Sequence, residues 1–202
     1  GLGQVAKLLG LTLEELLQQT ERIVHGTTAA TNALLERKGA KVGLLTTAGH
    51  RDVLEMREGL KPERYNLRLA RPHALVPRHL RLGVRERLRP DGSVEQSLDQ
   101  ASLDDAITVL KQAEVTAVAV CYLHSYRDDR HECITREALA QALPEVHVCL
   151  SSEVLPQIKE YERVSTTVVN AYVSPILGRY LSQLEGSLRT SGYVGTVLIM
   201  LS

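Results

Sequence analysis

Short apolar runs alternate along this chain with segments whose apolar residues recur at helical spacing. Gln4–Gln19 holds two short helical patterns, and Thr12 with Glu15 has capping-box spacing, the hydroxyl taking an orphan N–H while the carboxylate reaches back. Arg22–Val24 reads as a short strand. Thr27–Lys38 carries Ala30, Ala33 and Leu34 at helical spacing, with Gly39 suited to the position after the helix. Val42–Leu45 is a second apolar strand and His50–Arg57 a further helix, a βαβ-like unit. Lys61–Pro77, with three prolines and many charges, reads as a long, partly irregular surface connection. His79–Leu88 is strand-like, Asp91-Gly92 signals a turn, and Val94–Leu98 returns as its partner. A helix follows over about Ala101–Ala113. "VTAVAVCYL", Val115–Leu123, is a near-continuous apolar strand, expected to be buried on both faces. Asp129–Leu143 is helical, with Asp129 and Glu132 at capping-box spacing, and Val146–Leu150 is another strand. Gln157–Arg189 is helical but interrupted at Ser174-Pro175, where a proline predicts a kink or a new start capped by Ser174. Gly192 ends it, and Val197–Met200 begins a last strand. There is no repeat of solenoid length.

Composition narrows the class. A chain of 202 residues forms one or two domains, and 44% apolar content is enough for a core. Lys+Arg and Asp+Glu balance at 24 each, which argues against nucleic acid or an anionic membrane as partner. With no Phe and no Trp, Leu, Val, Ile and Ala fill the core and base-stacking platforms are absent. Cys121, Cys133 and Cys149 lack paired spacing and read as buried free thiols of a reducing cytoplasm. No apolar stretch reaches the roughly 18 residues of a membrane helix. Gly1-Leu2-Gly3-Gln4 has neither a start Met nor a signal-peptide profile, and "VLIMLS" resembles a strand cut mid-course, so a piece of a longer protein is expected.

Two hydroxyl pairs carry the chemical interest. In "IVHGTTAATNALLERKGAKVGLLTT", Thr27-Thr28 and Thr46-Thr47 each follow an apolar run. Gly26 lets a ligand approach the backbone, and the following helix offers N–H groups to an anion. Thr27 or Thr28 either caps that helix or meets a ligand, and the two roles are compatible. The two pairs are expected to end neighbouring parallel strands and face one cleft, with Thr27 and Thr28 at the reacting group, Asn32 steadying the loop, and His25, Gly26 and Thr31 alongside. His25 suits positioning better than proton transfer. Arg51, Asp52 and Arg57 form either surface ion pairs or a grip on a substrate carboxylate or carbonyl. Glu160, Glu162 and Arg163 are either solvated helix charges or cleft residues. Asn170 and Tyr172 tie the long helix to the sheet. His124, at a strand end, faces a cleft or makes a structural hydrogen bond. In "HSYRDDRH" His131 sits between capping residues, and no metal ligand is assigned. No Ser-His-Asp or Cys-His set can be assembled.

The stretch "VHGTTAATNALLERKGAKVGLLTTAGHRDVLEMREG", with "RYNL", "ALVPRHLR", "AVCYLHSYRDDRHE" and "LSSEVLPQIKEYERVSTTVVNAYVSPILGRYL", resembles the N-terminal region of the hydantoinase A/5-oxoprolinase family, colinear from about Glu21 to Met200. The wider group includes acetone and acetophenone carboxylase subunits. The resemblance implies an α/β fold, part of an actin-like (ribonuclease H-like) ATPase with a mixed sheet and flanking helices. It implies a cytoplasmic enzyme using ATP and a divalent cation, Mg or Mn, to open a small cyclic amide or imide through a phosphorylated intermediate. A hydantoinase B-type partner and a homo-oligomer are implied as well. A ketone carboxylase subunit and a non-catalytic split subunit are the rival readings. The family's D-x-G-G-T-x-T-D phosphate loop does not precede Gly3, and "MLS" stands where the family tends to read "MQSNGG". Three segments are expected: 1–78, a partial first actin-like subdomain without its phosphate-loop hairpin; 79–157, an α/β segment; and 158–202, a long kinked helix and the next core strand. Alone, the chain is expected not to hydrolyse ATP, and to self-associate through the Arg22–Val24 and Val42–Leu45 strands.

Overall fold

In the computed structural model, which describes residues 1–59, 63, 65–69 and 73–201, helices alternate with parallel strands. The expected connection at 61–77 falls partly outside the described residues. The chain divides into two compact units, Gly1–Lys38 with Ile176–Ser202, and Gly39–Pro175. These are not the segments expected from the sequence. Strands on both sides of residue 78 share one sheet, and the long C-terminal helix belongs to both units.

In the first unit, α1 (Leu2–Leu8) and α2 (Leu13–Gln18) precede β1 (Arg22–Thr27) and α3 (Ala29–Leu35). The capping box at α2 forms: Thr12 N donates to Glu15 Oε2 at 2.8 Å, and Glu15 N donates to Thr12 Oγ1 at 3.2 Å. β1 pairs in parallel with β8 (Thr196–Leu201), and Leu17, Leu188 and Tyr193 form the buried cluster beneath. α3 stops two residues earlier than Gly39 would require. Arg37 takes the left-handed position at φ 56°, with Arg37 N donating to Leu34 O at 3.3 Å and Lys38 N to Ala33 O at 3.0 Å. Those two bonds satisfy the last carbonyls as a glycine cap would.

The second unit is built on a four-stranded parallel sheet: β2 (Val42–Thr47), β3 (Arg81–Val84), β6 (Ala117–Cys121) and β7 (His147–Leu150), ordered β3-β2-β6-β7. The sheet is therefore wholly parallel rather than mixed. The antiparallel pair β4 (Arg87–Leu88) and β5 (Val94–Gln96) stands apart from it. The strand expected over His79–Leu88 breaks at Arg85-Glu86, giving β3 to the sheet and β4 to the hairpin. β2 has neighbours on both sides, so it is no exposed edge. All six residues of β2 and all five of β6 are buried, as unbroken apolar runs require when both faces are covered. The covering helices are α4 (Val53–Met56), α5 (Gln100–Gln112), α6 (Arg130–Ala142), α7 (Ser151–Val154) and the first half of α8 (Glu160–Thr190). Asp99 Oδ1 caps α5 through Ser102 N at 2.9 Å.

Two helix expectations are corrected. α8 runs through Pro175 without a new start, and Ser174 caps nothing. Asp129 makes no side-chain cap on α6, because Glu132, its expected reciprocal partner, is fully buried and bonded elsewhere. Gly39 has a different role from a cap. A side chain there would overlap the Tyr172 ring, whose backbone carbonyl accepts from Ala40 N at 2.9 Å. Gly39→Ala should therefore overpack this contact. The melting temperature should fall by the equivalent of about 1–3 kcal/mol, read by circular dichroism. An unchanged melt would mean that the ring moves aside freely.

Candidate functional site

The two hydroxyl pairs lie in different sheets and different units, so they do not end neighbouring strands. Thr46 and Thr47 are buried, at 3% and 2% exposure. Thr47 Oγ1 donates to Glu86 Oε1 and accepts from Leu123 N at 2.9 Å. Its hydroxyl thus ties β2 to the segment after β6 and faces no cleft. The first pair is open. Thr27 Oγ1 accepts from Ala29 N at 3.2 Å, while Thr28, at the N-cap position, makes no side-chain cap bond. Asn32 Nδ2 donates to Thr28 Oγ1 at 3.4 Å. Thr28, Thr31 and Asn32 are exposed, and a Cβ added at Gly26 would meet nothing within 4 Å. His25 is held by Tyr180, ring nitrogen Nε2 to hydroxyl at 2.6 Å.

The second unit contains a cleft of its own, ≈ 570 Å³, at the carboxyl ends of β2 and β6, where open parallel sheets place ligands. His50, Arg57 and Glu58 line it from the α4 segment, Arg87 from β4, His124 from beyond β6, and Lys159–Glu162 from the entrance of α8. Of the residues singled out in the sequence, Arg57, His124, Glu160 and Glu162 come together here. Arg51 and Asp52 do not line it. Asp52 makes a two-pronged pair with Arg78, both bonds at 3.0 Å, exposed and therefore weakened by solvent. Arg163 is a structural residue, 2% exposed, donating from Nη1 to Ser125 Oγ at 2.7 Å and from Nη2 to Tyr122 O at 2.8 Å. Its guanidinium also stands 5.5 Å over the Tyr126 ring. Sequence reasoning missed His50, Arg87, Glu58 and Lys159 as cleft residues. The break at "VRERL" was the available signal, since a carboxylate at Glu86 shares the strand face of Val84 and Leu88.

Behind the cleft lies a buried polar frame. His131 Nδ1 sits 2.8 Å from Glu86 Oε2, with side-chain exposures of 4% and 0%. Glu132 accepts from Tyr122 N at 3.1 Å, Ser151 Oγ at 2.6 Å, Ser152 N at 2.9 Å and Ser152 Oγ at 2.7 Å. Glu132, Thr47 and Arg163 together hold the Tyr122–Ser125 segment, and His124 projects from it with left-handed backbone, φ 58°. Arg57 (φ 53°) and Lys159 (φ 87°) share that conformation, which side chains adopt at a cost of about 1–3 kcal/mol. Three of the five such non-glycine residues among the described ones thus line a single cleft.

Arg87 Nη1 is 3.2 Å from His50 Nε2. A guanidinium only donates, so Nε2 is the acceptor and the imidazole is neutral with its proton on Nδ1. Burial pushes the His50 imidazole below its ordinary range, with Arg87 adding to the effect and Glu160 and Glu86 opposing it. Burial likewise lowers His124, against the opposing charge of Glu160, and His124 Nδ1 is buried without a hydrogen-bond partner among the described residues. Among the described residues no group of three or more His, Cys, Asp or Glu converges as a metal site. The thiols of Cys121 and Cys149 are buried and Cys133 is half-buried, with burial pushing Cys121 up to about 12. No helix of the described residues is long and apolar enough to cross a membrane.

Because both imidazoles titrate lower in the folded state than in the unfolded chain, the unfolded chain binds more protons as the pH falls. Their stabilisation is complete above the ordinary value of 6.5 and is lost as the pH falls through the folded-state values. The melting temperature should therefore drop below pH 6.5, and the paired substitution His50→Gln with His124→Gln should flatten that slope. Parallel pH profiles for the two proteins would contradict the assignment.

Residues 4–143 match the hydantoinase/oxoprolinase N-terminal region, and residues 163–202 match hydantoinase/oxoprolinase. The chain is 44% identical over 194 residues to caprolactamase subunit alpha of Pseudomonas jessenii, covering 95% of this chain and 28% of that one. It is 35% identical over 205 residues to the acetophenone carboxylase gamma subunit of Aromatoleum aromaticum, again 95% of this chain and 28% of the relative. The crystal structure of ATP-dependent caprolactamase from P. jessenii matches with a TM-score of 0.92 at 43% identity, over 98% of this chain and 29% of that one. The sequence thus spans less than a third of these relatives' length, and it belongs to the hydantoinase/oxoprolinase family.

Proposed function

We infer that the chain is part of an ATP-dependent hydrolase that opens a small cyclic amide. The observation that carries this reading is the 44% identity to an enzyme subunit named for caprolactam, sustained over 95% of the chain. The lower identity, 35%, to a ketone carboxylase subunit leaves that chemistry second. The actin-like ancestry of the fold, a cytoplasmic location, a hydantoinase B-type partner and self-association belong to the same reading of the full-length protein.

The Thr27-Thr28 turn fits a phosphate or a polarised carbonyl. Gly26 leaves open space beside it, Thr27 Oγ1 is already committed to Ala29 N, and Thr28 presents an exposed hydroxyl steadied by Asn32. A hydroxyl held in this way donates to negative charge developing on oxygen, the main source of acceleration in such sites. His25, fixed by Tyr180, orients the strand end rather than moving a proton. Bound ATP would supply the phosphoryl group that activates the amide oxygen. Among the described residues no three or more His, Cys, Asp or Glu converge, so no metal-dependent step is assigned to them, and a divalent cation belongs to the reading of the full-length protein.

The full-length enzyme should couple ATP consumption to the opening of caprolactam or 5-oxoproline. ADP formation only with a ketone and bicarbonate would replace this reading by the carboxylase one. Within that enzyme, Thr28→Val should cut turnover by about ten- to a hundredfold, the loss of one hydrogen bond of about 1.5–3 kcal/mol. Its melting temperature should hold, since the Thr28 hydroxyl caps no helix, and Thr28→Ser should restore turnover. Full turnover in Thr28→Val would remove Thr28 from the site.

A further inference from the structure

The cleft of the second unit has a charge arrangement that no ion pair within it explains. Arg57, Arg87 and Lys159 line it together with Glu58, Glu160 and Glu162, three cations against three carboxylates. The two imidazoles add no charge near neutral pH. Lys159 Nζ and Glu162 Oε1 satisfy each other at 3.0 Å. Arg87 donates only to the neutral His50, and Glu160 has no cation within salt-bridge distance among the described residues. Among the described residues, a guanidinium and a carboxylate thus face one cleft without opposite-charge partners. With three cations against three carboxylates, the wall has no net positive charge to attract a polyphosphate. It is complementary to a molecule that carries both charges at separate ends. The volume, ≈ 570 Å³, lies within the range of small-molecule clefts, about 300–1,000 Å³.

We propose that this cleft binds a small zwitterion, with its carboxylate on Arg87 and its ammonium on Glu160. His124 lines the same cleft from beyond β6. Hydrolysis of a cyclic amide turns a neutral ring into a chain with a carboxylate at one end and an ammonium at the other. The identification of the zwitterion with an opened cyclic amide rests on the function inferred above. The recognition of a zwitterion as such does not.

Calorimetric titration of the 202-residue chain with 6-aminohexanoate, hexanoate and hexylamine tests the proposal. The amino acid should bind about tenfold more tightly than either singly charged probe. Glu160→Gln, an exposed and nearly isosteric change, should erase the preference over hexanoate, and Arg87→Met the preference over hexylamine. Circular dichroism confirms that each variant is folded; should Arg87→Met fail to fold, Glu160→Gln decides alone. Absence of binding by 6-aminohexanoate, equal affinity for hexanoate, or an unchanged preference in Glu160→Gln overturns the proposal. Ring opening by the full-length enzyme without such binding would sink this proposal alone. Binding without any ring opening would sink only the functional reading.

Discussion

The Glu132 carboxylate is the constraint on which the second unit's chemistry depends. It is fully buried, and its two oxygens accept two backbone N–H groups and two serine hydroxyls from segments that follow β6 and β7. A buried donor left unpaired costs about 1–3 kcal/mol, so the several donors on Glu132 fix these segments strongly. Arg163 completes the arrangement on the other side of the same turn, bonding Tyr122 O and Ser125 Oγ. Thr47, Glu86 and His131 hold the neighbouring end of β2. These hydrogen-bonded polar groups inside the unit thereby set where His124, Arg87 and His50 stand. The open cleft is the outer surface of that frame.

Much of the fold could be read from the pattern. The apolar runs at Val42 and Val115 gave strands, and their lack of polar alternation correctly meant burial on both faces. The capping box at Thr12 formed, and Asp91-Gly92 turned the hairpin, with Gly92 at φ 89°. The errors share a physical origin in tertiary partners. Asp129 and Glu132 have capping spacing, but a carboxylate offered four donors in the interior is better satisfied there than at a helix end. Gly39 resembles a cap, yet its lack of a side chain serves the close approach of Tyr172. Ser174-Pro175 resembles a helix start, yet α8 continues through it. Sheet order was not legible either: similar Thr-Thr endings on two strands said nothing about which sheet each joins.

The candidate site was partly legible. Arg57 and Glu160 were singled out from charge and position, and both line the cleft. His124 reads in the sequence as facing a cleft or making a structural hydrogen bond; it lines the cleft, and its Nδ1 has no hydrogen-bond partner among the described residues. Arg163 was equally conspicuous and is buried as a brace, because a long cationic side chain on a helix can point inward wherever carbonyl and hydroxyl acceptors await it. His50 and Arg87 escaped notice since neither lies in a motif. They meet only because β2 and the β3–β4 break end at the same side of the sheet.

The left-handed backbone at Arg57, His124 and Lys159 bears on how such a cleft can diversify. Its contour is drawn by main-chain torsions and braced from behind, so the side chains projecting into it are largely free of duty to the core. Exchange at these positions is limited mainly by backbone conformation: a positive φ favours glycine there and disfavours β-branched residues. A lineage can therefore rewrite the charges and shape that a small molecule meets while leaving the sheet beneath untouched. Such a separation of wall from scaffold leaves room within one family for relatives named for a lactam and for a ketone.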